Sequence, residues 1–298
     1  MSMLDPIIAD MDRRRVAEGY PEPFSAATGG EARAHGWAIR NAFYPSPDIP
    51  VAGSEPRLVP GPGGAIPVRV IRPLEPSGAT VLYLHGGGWI IGDLESHHAH
   101  ACRLADVSGA VVVNVDYRLA PEHPFPAAPL DAIAALEWVA AHIGELGGDP
   151  ARLAVAGDSA GGNLAAVAAL HARDAGLPLR AQLLCYPLTD FRRRTGKPTP
   201  VEPKYLGPDY VKTAADWRAS PITADLRGVA PVILGTGRHD YLHADNLAFA
   251  AALCTAGVPL DLRIYDSLNH GFASFTGVVP AALNATVELY ERLSLQMR

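Results

Sequence analysis

Val155-Ala156-Gly157-Asp158-Ser159-Ala160-Gly161-Gly162 carries a short apolar run straight into Gly-x-Ser-x-Gly, and an alanine-rich stretch follows at once. Strand, tight turn and helix in that order is the setting in which Gly-x-Ser-x-Gly becomes a nucleophile elbow, its serine hydroxyl lifted above the end of a sheet. Gly157 and Gly161 supply positions without a Cβ where strand and helix crowd together. Ser159 then stands near the positive N-terminal end of the following helix. Gly and Ser also punctuate ordinary turns, so the motif gains its weight from its surroundings.

Upstream, His85-Gly86-Gly87-Gly88-Trp89 leaves another apolar run, residues 81–84. Three successive glycines expose backbone N–H groups to close approach, the sequence form of an oxyanion hole in lipases and esterases. The amide of Ala160, next after the serine, is a further donor of the same kind. A phosphate loop does not fit, because neither G-x-x-x-x-G-K-[ST] nor G-x-G-x-x-G follows that strand.

Downstream, the elbow needs a base and an acid, in the chain order Ser, Asp or Glu, His. His171 falls about three turns into the helix after the elbow, too far along it to return to the serine. His239 and His243 flank an acid candidate. His270, in Leu268-Asn269-His270-Gly271-Phe272, follows a strand over 260–265, and loops at that edge of an α/β sheet carry catalytic groups. His270 is the expected base. For the acid, Asp240 leaves the strand at 232–234, Asp190 follows the strand at 181–186, and Asp245 lies on the next helix. Asp240 is favoured because its strand immediately precedes the His-bearing unit. Its role would be to hold the imidazole tautomer and stabilise the imidazolium.

With these four segments in view, the chain resembles the hormone-sensitive-lipase-like esterases, a branch of the α/β-hydrolases. The resemblance rests on His85-Gly86-Gly87-Gly88-Trp89, Val115-Asp116-Tyr117-Arg118-Leu119-Ala120-Pro121-Glu122, Gly157-Asp158-Ser159-Ala160-Gly161-Gly162-Asn163 and Asn269-His270-Gly271-Phe272, in that order from about residue 68 onward. It implies nucleophile Ser159, acid Asp240, base His270, and oxyanion donors Gly87, Gly88 and Ala160. It also implies an α/β-hydrolase fold with a helical cap. One position departs: the family's Asp-Pro-Leu at the acid reads Asp240-Tyr241-Leu242 here, without the proline that would fix the turn.

Strand-like runs at 68–71, 81–84, 111–115, 153–156, 181–186, 232–234 and 260–265 alternate with helical patterns. Examples are Leu130, Ile133, Leu136, Ala140 and Ile143, and again Leu283, Val287, Tyr290, Leu293 and Met297. This alternation argues a mostly parallel sheet with helices on both faces. Two stretches break it. The N-terminus carries a helix candidate with Asp5 as cap, Pro6 at the first position, and Ile7, Ile8 and Met11 on one side. Residues 191–221 form a long insertion of the kind that makes lids. A single α/β-hydrolase domain over 1–298 is expected, its cap formed by about 1–45 and 191–221.

The 298 residues are 48% hydrophobic, enough for a large core, and the net charge of −6 disfavours a nucleic-acid partner. Cys102, Cys185 and Cys254 lack zinc spacing, and two of them sit in an apolar strand and an alanine-rich helix, so buried thiols are expected. Residues 1–20 hold no apolar signal core and no run of 18 apolar residues occurs, which argues for a cytoplasmic protein with no membrane span. His97, His98 and His100 have no ligand partners at an evident spacing, so no metal is expected, and acyl transfer by this route needs no cofactor. Trp89, directly after the glycines, is expected to wall the acyl pocket. Glu122 is expected to anchor loops through Arg118 or backbone. The reading that follows is a serine carboxylesterase acting on small, short-chain acyl esters. A ligand-binding protein on the same fold, or an amide, carbamate or lactone hydrolase with the same triad, are the other readings. The sequence leaves a homo-oligomer open.

Overall fold

A computed structural model of the chain describes residues 3–194 and 199–298, with Arg194 as backbone only. In chain order it contains α1 (Pro6–Ala17), α2 (Gly29–Phe43), β1 (Gly53–Gly61), β2 (Gly64–Arg72), β3 (Thr80–Leu84), α3 (His98–Ser108), β4 (Val111–Val115), α4 (Ala127–Ala141), β5 (Leu153–Asp158), α5 (Ala160–Ala175), β6 (Ala181–Cys185), α6 (Val201–Leu206), α7 (Tyr210–Thr213), β7 (Val232–Gly237), α8 (His243–Thr255), β8 (Leu260–Tyr265) and α9 (Pro280–Gln296). Among the described residues eight strands form one sheet in the order β1-β2-β4-β3-β5-β6-β7-β8. The pairs from β4 through β8 are parallel, while β1–β2 and β2–β4 are antiparallel. This is the α/β-hydrolase fold, as expected from the sequence.

β3, β4, β5 and β6 are buried along their whole length. Strands covered on both faces have no polar side to show, hence runs such as Val111-Val112-Val113. β3 pairs with β4 on one side and β5 on the other. Strand order therefore reverses at β3 and β5, the crevice where open α/β sheets bind ligands. The glycine loop after β3 and the serine turn after β5 leave the sheet side by side at that point.

The strand β1 adds to the seven expected. Its Pro56 and Pro60 argue against a central strand, but β1 is the sheet's edge, where a missing N–H costs no ladder bond. The expected helix stripes hold in part: Leu136 and Ile143, and Tyr290, Leu293 and Met297, are buried, while other members are not. In α4 the buried positions include Ala128, Ala132, Ala135, Leu136 and Val139, whereas Leu130 and Ile133 are only half-buried. Small side chains let this helix lie close on the sheet, so alanines share its inner face with Leu136 and Val139.

α1 begins as the sequence suggests, with Pro6 first and the Asp5 carboxylate accepting the Ile7 amide at 2.9 Å. Its inner face is Ile8 and Met11, which with Leu4 just before the helix pack on the cluster that includes the Val279 and Ala282 region. Ile7, a hundred degrees around the helix from Ile8, is 41% exposed, contrary to its expected place on that face. α2 is capped by Thr28, whose hydroxyl accepts the Glu31 amide while Glu31 accepts the Thr28 amide. Cys102 and Cys185 are buried, but Cys254 is exposed: next to the inward Leu253, it falls on the outer side of α8. Among the described residues no helix is long and apolar enough to cross a membrane.

Candidate active site

The turn after β5 holds Ser159 at φ +52° and ψ −115°. A positive φ is costly for a residue with a Cβ, of order 1–3 kcal/mol, and persists only where neighbours impose it. Here the Ser159 amide donates to the Cys185 carbonyl at 2.8 Å, and the Asn163 amide returns to the Ser159 carbonyl at 3.1 Å. A Cβ on Gly157 would meet the backbone of Gly161, and one on Gly161 would collide with the carbonyls of Leu84 and His85. The two glycines are thus needed for close approach.

The Ser159 hydroxyl lies 2.8 Å from His270 Nε2, and His270 Nδ1 lies 3.0 Å from both Asp240 oxygens. A carboxylate only accepts, so Nδ1 carries the proton and Nε2 is left to accept from the serine hydroxyl. Asp240 also accepts the Leu242 amide at 2.7 Å, and its side chain is fully buried. The loops bearing Asp240 and His270 are joined through backbone: the His239 amide donates to the Leu268 carbonyl and the Arg238 amide to that of Tyr265. Gly237 lies so close to Leu268 that a Cβ would strike its carbonyl. Gly271, at φ +76°, turns the chain away after the histidine.

The competing acids are engaged elsewhere. Asp190 pairs with Arg192 at 2.8 Å and Arg193 at 3.6 Å, and Asp245 accepts the Thr189 amide and hydroxyl. Among the other histidines, His171 reaches Glu137 at 2.9 Å, His239 is exposed, and His243 stands 3.5 Å from the Thr236 hydroxyl.

Asp158 stands inside the serine motif, but the sequence assigns it no role of its own. Buried, it accepts the Tyr83 hydroxyl at 2.8 Å and the Gly86 amide at 2.9 Å. Burial pushes its pKa up, against the pull of those two donors. Gly86 is thus taken by Asp158, while the amides of Gly87, Gly88 and Ala160 enter no hydrogen bond among the described residues. Gly87 (φ +122°) and Gly88 (φ +58°) bend the loop. Tyr117 donates to the His85 carbonyl at 2.7 Å and stacks on its ring at 4.3 Å.

Beneath this loop His85, His97 and His100 form a row, with ring centroids 5.1 Å and 5.0 Å apart. Burial pushes His85 down to about 4 and His100 down to about 3, the latter helped by the Arg40 charge, and takes His97 well below its ordinary value. Among the described residues no group of three or more His, Cys, Asp or Glu side chains gathers closely enough to hold a metal ion.

The Ser159–His270 edge opens into a cavity of about 670 Å³. Gly87, Gly88, Trp89, Tyr241 and Leu242 line its lower part, and Phe24, Trp37, Arg40, Tyr44, Pro200 and Val201 face them. The Trp89 ring is itself 1% exposed, stacked on Tyr205 at 4.2 Å and tilted against Phe191. Glu122 pairs with Arg33 of α2 at 2.6 Å. That corrects the expected link to Arg118, whose guanidinium is held by the buried Asp131 at 2.7 Å. An arginine thirteen residues before a buried carboxylate gives no sequence sign of that preference.

Residues 81–274 match the family model described as alpha/beta hydrolase fold. The chain is 39% identical to the carboxylesterase NlhH of Mycobacterium tuberculosis, over 95% of this chain and 93% of that protein. It is 34% identical to an ethyl acetate hydrolase of Pseudomonas putida, over 83% of each. Among solved structures it superposes on a hyperthermophilic esterase from the archaeon Pyrobaculum calidifontis with a TM-score of 0.85 at 36% identity, covering 98% of both chains. The chain belongs to the α/β-hydrolase family, in its hormone-sensitive-lipase-like esterase branch.

Proposed function

From that membership, we propose that the chain hydrolyses short-chain carboxylic esters through an acyl-enzyme, with Ser159 as nucleophile, His270 as base and Asp240 as acid. The coarser part, a carboxylic ester hydrolase, follows from relatives such as NlhH and the ethyl acetate hydrolase. The observation that carries the finer part is the unbroken line Asp240–His270–Ser159 at 3.0 Å and 2.8 Å, ending in the cavity.

In the proposed reaction His270 Nε2 takes the Ser159 proton as the oxygen attacks the ester carbonyl, whose π electrons move to oxygen. Gly87, Gly88 and Ala160 donate to that oxyanion. A preorganised donor of this kind is worth about 10²–10³ in rate. Collapse breaks the bond to the alcohol oxygen, which leaves with the proton from His270. Water then repeats the sequence on the acyl-enzyme, with His270 again as base. Asp240 stays ionised and holds the ring.

Trp89 is assigned to the acyl wall, packed firmly by Tyr205 and Phe191. Residues 1–45 and 191–221 are assigned to a cap over a single domain, residues 1–2 and 195–198 lying outside the described ones. Support for the cap comes from Lys204, whose ammonium donates to the carbonyls of Phe24 and Ala26 and so joins the two stretches.

An organophosphonate probe should label the protein at Ser159, and Ser159→Ala should remain folded and unlabelled. Persistent labelling at another serine would overturn the assignment. With one leaving group, kcat/KM should peak between acetate and hexanoate and fall toward dodecanoate. A maximum on emulsified long-chain esters would remove the short-chain reading.

A further inference from the structure

Arg40, on α2, lines the cavity and is 7% exposed. Its one hydrogen bond among the described residues runs to the Ser46 hydroxyl at 2.9 Å, and its guanidinium lies 5.9 Å from the centre of the Tyr44 ring. A guanidinium carries five N–H donors, and buried charges are ordinarily paired. Arg33, another arginine of the cavity wall, follows that rule through Glu122. Arg40 makes no ion pair among the described residues. The acids of the cavity wall are turned to other donors. Asp93 accepts the Trp37 indole and the Ser96 amide, Asp158 accepts Tyr83 and Gly86, Glu22 pairs with Arg15, and Glu202 accepts Thr199. Burial pulls the Arg40 pKa below its ordinary value, and the surrounding Tyr44, Tyr83, Asp158 and Asp93 do not restore it.

We propose that Arg40 is a specificity-determining residue that receives a free carboxylate carried by the ester substrate. The inference names the substrate class of the site already proposed and rests on the reading of that site as an ester hydrolase. Two carboxylate oxygens accept in parallel from the planar fork of an arginine, and their charge offsets the one that burial leaves without a partner. The ester carbonyl lies at Ser159 while the carboxylate lies at Arg40, so one molecule carries both groups. Recognition is the same whether the carboxylate stands on the acyl or on the alcohol portion.

Two matched pairs of esters separate those sources. Monomethyl succinate against methyl isohexanoate probes the acyl side, and β-acetoxypropionate against isopentyl acetate probes the alcohol side. Within each pair a carboxylate replaces an isopropyl group of the same shape. The wild type should favour the charged ester in kcat/KM in at least one pair, chiefly through a lower KM. Arg40→Met should lower that charged-to-neutral ratio roughly ten- to hundredfold, the range of one hydrogen bond to a charged group. Arg40→Lys, which keeps the charge without the fork, should lose less. A ratio unchanged in Arg40→Met overturns the proposal, as does a wild-type preference for the neutral ester in both pairs. An equal fall on charged and neutral esters would make Arg40 a structural residue and overturn it as well. If the wild-type protein turns over none of the four esters, the hydrolase reading itself fails and this one with it.

Discussion

On one side of the cavity a buried carboxylate, Asp158, holds the Gly86 amide, and glycines press backbone on backbone between Leu84 and Gly161. On the other, long side chains do the joining: Lys204 reaches the carbonyls of Phe24 and Ala26, Arg33 reaches Glu122, and the Trp37 indole reaches Asp93 at 3.1 Å. The lower side has no slack, because a Cβ at Gly161 has nowhere to go. The upper side is a set of reaches across space, each replaceable by another chemistry. Under the proposed reaction, chemical steps would need fixed distances and substrate entry adjustable walls, and the two sides would divide those requirements.

The sharpest way to break this comparison is on the lower side. Asp240→Asn should reverse the hydrogen-bond preference at His270 Nδ1 and lower kcat by about 10⁴, the loss seen for that exchange in a serine protease. Asp190→Asn and Asp245→Asn disturb an arginine pair and the Thr189 contact, and should cost far less. Circular dichroism on all three separates misfolding from lost chemistry. If Asp190→Asn were the crippled variant, the acid would belong to the loop after β6.

On the upper side, Lys204→Met deprives two carbonyls of a charged donor and should cost roughly 1.5–3 kcal/mol in chemical denaturation. Its kinetic mark should be a raised KM with kcat largely kept. A kcat loss like that of Asp240→Asn would show that the upper side takes part in the chemistry no less than the lower.

A separate effect, visible only at low pH, lies in the histidine row beneath the loop. His85 and His100 are held down to about 4 and about 3 from 6.5. The unfolded chain therefore binds protons below 6.5 that the folded chain refuses. Stability is whole above that pH and falls as pH drops toward the folded values. His100→Leu should flatten this fall by about one proton in urea denaturation followed against pH. An unchanged slope would mean that His100 does not titrate in this way.

The same division explains what can be read in advance. Gly157, Gly161 and Gly87 are legible because backbone proximity forces residue type, and Ser159 and His270 follow from where those loops end. Asp240 is legible through the order of strands. The role of Asp158 is not, since the motif places it beside the serine but only the folded loop shows what it accepts. α2 carries a visible signal in Thr28 and Glu31, a capping pair without an obvious apolar stripe after it. β1 is hidden by prolines that an edge tolerates. The inner face of α4 is read only in part by following large aliphatics: Leu136 is found, but the alanines beside it are not.

Asp158 ties the strand bearing the serine to the loop bearing Gly86, and the Tyr83 hydroxyl shares its charge. In a mutational scan these residues should not register as separate sensitive points. Substitutions from Tyr83 to Gly88 and from Gly157 to Gly161 should form one block with strong pairwise epistasis. A second change rescues the first only if it restores the shared carboxylate contact.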